Sequence, residues 1–159
     1  MTYFSGTVGA AVEAVKLGIP AIAFSGAEGE ATAWNASVPA YSIIYAKLST
    51  LVVETLLNSG TPYLPDGVWL NVNYPETTDC TSASDFSFVL SRLHAATALS
   101  GTDVTTCSNG GRLPTEATVV GTNGCFASIS IGVTDKLDAD EADQATVLSK
   151  LESLLTCLP

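Results

Sequence analysis

A chain of 159 residues, 47% of them apolar, has the size of one domain and enough apolar side chain to bury a core. Only 14% of the residues are charged, and 16 acids against 6 bases leave a formal charge of −10. That field repels nucleic-acid backbones and anionic membranes, so no nucleic-acid polymer and no membrane is an expected partner; an anion would have to be held by local donors.

No apolar run reaches the roughly 20 residues that cross a bilayer, and no signal-like start is visible, so a soluble chain is expected. Cys80, Cys107, Cys125 and Cys157 show no C-x-x-C spacing, and His94 is the only histidine. A zinc site is therefore disfavoured, and two disulfides in an oxidising compartment are expected. Three pairings are open. Cys80–Cys107, across a Ser/Thr/Gly-rich stretch, and Cys125–Cys157, tying a late strand to the last helix, are favoured; four buried thiols are the alternative. The sequon Asn35-Ala36-Ser37 fits secretion.

Val8, Ala11, Val12 and Val15 recur at helical spacing, which predicts a helix from near Ser5 to the stop at Gly18 and Pro20. Ala21 to Phe24 has the profile of a short buried strand, and a loop follows from Gly26 to Asn35. From about Ser37 a long helix turns Tyr41, Ile44, Leu48, Leu51, Val52 and Leu56 inward, with Pro39 in its first turn and Gly60 beyond its end. Val68 to Val72 is a second buried strand. Helix, strand, helix, strand is the order of an α/β layer with a parallel sheet.

Phe86 to Leu93 alternates and predicts a further strand, between loops at Thr77 to Ser84 and Ala95 to Pro114 held by a disulfide. A last strand sets Ile129, Ile131 and Val133 against Ser128 and Ser130, which reads as half-buried. The final helix starts near Asp138, with Glu141 three residues on as in a capping box, and would bury Ala145, Leu148, Leu151 and Leu155. No repeat or composition shift divides residues 1–159, so a single domain is expected.

Ser5-Gly6-Thr7 is the first candidate site. Amides of a helix's first turn lack intrahelical partners, and the dipole adds about half a positive charge there, so an anion is stabilised. Gly6 lets it approach the backbone, and the Ser5 and Thr7 hydroxyls add donors. The same tripeptide also suits a plain N-cap. Asn71 and Asn73 read as structural residues making local backbone bonds. Asp135, Asp138, Asp140, Glu141 and Asp143 read as a solvated helix start and His94 as a structural or surface residue. None of these is expected to hold a metal.

The string YFSGTVGAAVEAVKLGIPAIAFS from Tyr3 to Ser25, followed by WLNVNYP from Trp69 to Pro75, resembles the SurE family of metal-dependent nucleotidases and acid phosphatases. FVLSRLH, RLPTEATVVGTNGCFASIS and the ending LLTCLP are similar to its secreted fungal branch. The resemblance implies a partial Rossmann-like fold with a mostly parallel sheet and flanking helices, and a secreted hydrolase of phosphomonoesters. It implies that Ser5, Gly6 and Thr7 bind the substrate phosphate, with Phe4 in place of the family's usual Tyr. In the family an Asp-Asp pair ending the first strand, and a later Ser and Asn, hold a divalent metal such as Mg or Mn upstream of that loop. This sequence has no residues there, so no cofactor is expected in the chain itself, and little or no activity from it alone. A homo-oligomer, association with the missing N-terminal half, or a non-catalytic binding protein reusing the fold are the other expectations.

Overall fold

The structure is a computed structural model that describes residues 5–159; Phe4 and the residues before it lie outside the described part. Its elements are α1 (Gly6–Lys16), β1 (Ala21–Gly26), α2 (Ala40–Asn58), β2 (Val68–Tyr74), β3 (Ser87–Ser91), α3 (Glu116–Gly121), β4 (Phe126–Val133) and α4 (Glu141–Leu151), with a 3-10 turn at Ala83–Asp85. The strands form one sheet in the order β1-β2-β4-β3. β1–β2 and β3–β4 pair in parallel, while β2–β4 is antiparallel, with Val72 opposite Ile129. The sheet is thus mixed and mostly parallel, and flanking helices make the fold α/β.

One face is an apolar core. Leu70 and Val72 of β2, Phe88 and Leu90 of β3 and Ile129 and Ile131 of β4 meet Leu48 and Val52 of α2 and Val147 and Leu151 of α4. The other face changes character along the strands. At one end Ala23 and Trp69 pack beneath Val8, Ala11, Val12 and Val15 of α1. Beyond them the same face carries Asn71, Asn73, Ser128, Ser130 and Ser91, since alternate residues of a strand share a side. Trp69 lies across Gly132, where any Cβ would overlap its ring, and donates from Nε1 to the Val133 carbonyl at 2.9 Å.

β4 departs from the half-buried reading, because it runs between β2 and β3 with helices over both faces, and Ser128 and Ser130 are fully buried. α4 starts later and is rotated relative to the expectation. Its cap is Asp140, which accepts from the Asp143 amide at 3.0 Å; its buried residues are Gln144, Val147 and Leu151, Leu148 and, beyond its end, Leu155 pack half-buried on the core as expected, and Ala145 is outside. Gln144 is the cause, since it accepts from the Val104 amide at 2.8 Å and donates to Asp103 at 3.0 Å. A buried polar side chain is invisible to a count of apolar spacing.

α2 buries Ile44, Leu48, Val52 and Leu56, one residue per turn, while Leu51, assigned inward, is exposed. Contrary to the reading that no apolar run suffices, α2 is long and apolar enough by length and composition to cross a membrane, with mean hydropathy 1.3. Here its inward stripe packs on the sheet. α3 interrupts a region left without an element, beginning where Thr115 caps the Thr118 amide at 3.1 Å.

The long segment between β3 and α3 is ordered by charge. Arg92 pairs with Asp103 at 2.7 Å and Asp138 at 3.4 Å, and Asp138 accepts from the Leu93 and His94 amides at 2.6 and 3.2 Å. Asp138 is therefore an anchor rather than part of a solvated helix start. The His94 ring meets the Lys136 carbonyl at 3.0 Å, which agrees with a structural role.

The disulfides join Cys80 to Cys125 and Cys107 to Cys157, correcting the favoured Cys80–Cys107 and Cys125–Cys157. Topology decides the matter. Because β3 and β4 are parallel, the Ser87 amide reaches the Cys125 carbonyl at 2.8 Å, which puts Cys125 beside the segment that leads from Cys80 into β3. After α4 the tail returns along β3, where the Thr156 amide donates to the Phe88 carbonyl at 2.8 Å, and carries Cys157 to the loop holding Cys107. Non-reducing digestion and mass spectrometry should recover these two linked peptides, and a Cys80–Cys107 peptide would contradict the fold. The paired Cys80→Ala/Cys125→Ala variant should lose about 2–4 kcal/mol in a denaturant melt.

Candidate functional site

Ser5 adopts extended backbone angles and its Oγ accepts from the Val8 amide at 3.2 Å, so it is the N-cap of α1. Gly6 and Thr7 are exposed, and among the described residues their amides have no acceptor. A Cβ on Gly6 would meet open space. The tripeptide therefore presents unpaired donors to solvent at the positive end of an 11-residue helix.

α1 is joined to β1 by four residues and packs back along it, so the two run in opposite directions. The α1 N-terminus thus lies toward the C-terminal ends of β1 and β2, the end at which open α/β sheets bind ligands. That end is tied together. The Ala27 amide donates to the Tyr74 carbonyl at 3.0 Å, Glu28 accepts from the Thr77 amide and hydroxyl at 2.8 Å each, and Tyr45 Oη donates to the Pro75 carbonyl at 2.8 Å. Gly26 is needed there because a Cβ would enter the Tyr45 ring, which stacks on Tyr74 at 5.3 Å.

Asn71 and Asn73 do not make the local backbone bonds expected of them. Both amides donate to Glu116 Oε2, at 2.8 and 3.3 Å, and the Ser130 hydroxyl adds a third bond at 2.8 Å. Glu116, the first residue of α3, thereby seals the polar part of the sheet face. Sequence reasoning passed over it, although two Asn and two Ser alternating on facing strands signal a polar face that needs a partner. Ser91 Oγ, opposite Ser130 in register, is the one buried side-chain oxygen or nitrogen among the described residues without a hydrogen bond.

Beside this cluster a shallow cavity of about 260 Å³ opens between the ends of β1 and β2 and α3, with Ser25, Asn73, Tyr74 and Glu116 on its polar side and Ala117 and Val120 on the helix. Burial pushes the Tyr74 hydroxyl up to about 12, partly offset by its bond to Ser49. Burial also raises Tyr45, with the charges of Glu28 and Glu76 adding to it.

The metal implied by the resemblance finds no fit here. Among the described residues no three His, Cys, Asp or Glu converge, and Glu116 Oε2 faces N–H and O–H donors rather than the lone pairs a hard cation requires. The cysteines are all in disulfides and serve the fold.

Glu116→Ala should cost about 1–3 kcal/mol in a denaturant melt, because the Asn71 and Ser130 donors stay buried without an acceptor. Ser91→Ala removes an unpaired hydroxyl and should be neutral or stabilising by up to about 1 kcal/mol. Tyr74 holds its proton more tightly folded than unfolded, so its contribution is complete below pH 10 and is lost as pH rises through 12. Melts across that window should show the fall, and Tyr74→Phe should flatten it.

The family model for survival protein SurE matches residues 1–106. An acid phosphatase of Yarrowia lipolytica is 35% identical over an alignment covering 82% of this chain and 44% of that protein. A 5'-nucleotidase SurE of Azorhizobium caulinodans is 43% identical over 47% of the chain and 27% of its own length. The chain thus spans less than half of each of these curated relatives. The crystal structure of the SurE protein from Aquifex aeolicus superposes with a TM-score of 0.49 at 21% identity, covering 92% of this chain and 58% of that one. With two thirds of its length matched by one family model, the chain belongs to the SurE family.

Proposed function

We propose that residues 5–7 form the phosphate-binding wall of a SurE-type phosphomonoesterase site, and that the chain supplies this wall without the metal ligands. The supporting observation is the pair of open Gly6 and Thr7 amides at the α1 N-terminus, at the sheet end where the Glu116 cavity opens. Two open amides and the Thr7 hydroxyl within the first turn of one helix favour a small tetrahedral anion. Local donors have to overcome a net charge of −10, which favours a small, highly charged anion over an extended one.

In the family reaction a divalent metal activates water and steadies the transferring phosphoryl group. On this proposal those ligands come from chain or partner outside residues 1–159, and the chain alone binds phosphate without turning over phosphomonoesters. The two disulfides and the exposed sequon at Asn35 support a secreted protein, as in the fungal branch of the resemblance.

A second reading, a non-catalytic interaction protein, draws on the outer side of α2. Ile43, Leu51 and Leu57 are 46%, 43% and 52% exposed there, and β1 is an edge strand. Exposed apolar surface beside an unpaired strand favours association.

Calorimetry with inorganic phosphate tests the first reading. Binding should fall at least about tenfold in Gly6→Val, which leaves the fold intact because the Cβ meets open space, but covers the amides. Assays of an aryl phosphate with Mg²⁺ or Mn²⁺ should show no turnover. Unchanged phosphate affinity in Gly6→Val, or metal-stimulated hydrolysis by the chain alone, would sink it. A defined oligomer without any phosphate binding would favour the interaction protein.

A further inference from the structure

The two disulfides have different surroundings. Cys80 is buried and Cys125 half-buried, whereas Cys107 and Cys157 are both exposed. The exposed bridge joins a fixed loop to a lightly held segment. On the loop side Asn109 ties the turn: its Oδ1 accepts from the Thr106 and Gly111 amides at 3.2 and 3.0 Å, and its Nδ2 donates to the Val104 carbonyl at 2.9 Å. Arg112 donates to the Ser100 and Gly101 carbonyls nearby. Within this turn Cys107 and Ser108 have φ of 52° and 56°, left-handed backbone that residues other than glycine rarely adopt. On the other side, the Leu154 and Leu155 amides fold back onto the Leu151 carbonyl at 2.8 and 3.1 Å, closing α4. Past them one backbone bond among the described residues, from the Thr156 amide to the Phe88 carbonyl, holds the segment to β3. β3 is an edge strand, so this segment covers its unpaired side. Between segment and loop lies a cavity of about 500 Å³, walled by Leu90, Leu113, Leu148 and Leu155 and bordered by both cysteines.

We infer that Cys107–Cys157 is a site of thiol–disulfide exchange for a dithiol reductant, and that its opening frees residues 156–159 from the edge of β3 while Cys80–Cys125 and the sheet persist. A dithiol alone balances the step. Its thiolate attacks Cys157 Sγ, the S–S bond breaks, and the electron pair leaves on Cys107 Sγ, which accepts from the Thr106 hydroxyl at 3.7 Å and then takes a proton from solvent. The reductant's second thiol attacks the mixed disulfide at the reductant's own sulfur. Cys157 leaves as a thiolate, and the reductant ends as a cyclic disulfide, two electrons having passed to the cysteines. Access selects the bridge, because the incoming thiolate has to reach a sulfur, and Cys80 is covered by the core. Once open, Cys107 is free to leave its left-handed conformation, which favours the reduced form. The loop keeps the Asn109 and Arg112 bonds, so the segment beyond Leu155 is the part that moves. Its departure uncovers the β3 edge and the apolar walls of the cavity, and it leaves the opposite end of the molecule, with residues 5–7, untouched.

The test is graded reduction of the intact, oxidised chain with dithiothreitol, quenched with iodoacetamide and mapped by digestion and mass spectrometry. Cys107 and Cys157 should be alkylated together, at least about tenfold faster than Cys80 and Cys125. Hydrogen exchange on the chain alkylated at those two positions alone should show lost protection at the Thr156 amide, with the amides of β4 as protected as before. No substitution is needed, so the result does not depend on a variant that folds. Equal rates at the two bridges, earlier opening of Cys80–Cys125, a Thr156 amide still protected after Cys107 and Cys157 are alkylated, or β4 amides that lose protection with it would each overturn the inference.

Discussion

Burying a polar sheet face is costly unless its donors find acceptors, and here one oxygen of Glu116 takes three of them while Ser91 Oγ stays unpaired. Asn71 and Asn73 on β2 and Ser130 on β4 point to the same side because the strands pair in register, with Asn71 opposite Ser130 and Asn73 opposite Ser128. Without α3 those groups would need water, and the face could not be closed. The six residues of α3 are too few to be stable by themselves, so the hydrogen bonds and the packing of buried Val119 together hold the helix down. Sheet and helix each supply what the other lacks. The consequence for function is a carboxylate whose position is set by the sheet rather than by its own short helix.

A second constraint acts where regular structure is missing. The chain between β3 and α3 has neither helix nor strand, and two devices order it. Arg92 and Asp103, both nearly fully buried, form an ion pair whose remaining valences are filled by the Leu113 amide and Gln144. A buried pair of this kind is a specifying element more than a stabilising one, since desolvation offsets much of the attraction. Removing one partner is another matter, because it strands a charge. The Cys107–Cys157 bridge then fastens the same loop to the C-terminal tail.

Local pattern made α1, β1, α2, β2 and β3 legible, and it failed where a side chain's role depended on distant partners. Val8, Ala11, Val12 and Val15 announce their helix because each meets the same apolar surface. Gln144 disguises the inward face of α4 because its partners lie about 40 residues away in sequence, at Asp103 and Val104. Ser128 and Ser130 look like solvent-facing residues and are buried by a helix whose six residues carry little periodicity. Disulfide pairing depends on strand direction, which spacing between cysteines does not encode. In the candidate site, the Ser5 cap was readable from residue type, and the Asn71 and Asn73 amides were visible as polar positions. Their acceptor was not, since Glu116 lies more than 40 residues further along the chain.

The electrostatics of the site follow from these two layers. A chain of net charge −10 repels anions at a distance, so any phosphate it holds must be recognised at contact range. The α1 N-terminus supplies such contact through unpaired amides, whose partial charges fall off within a turn. Glu116 stands on the same end of the sheet with the opposite sign. The juxtaposition sets an anion-favouring helix end beside an anion-repelling carboxylate, so charge changes sign within one end of the sheet.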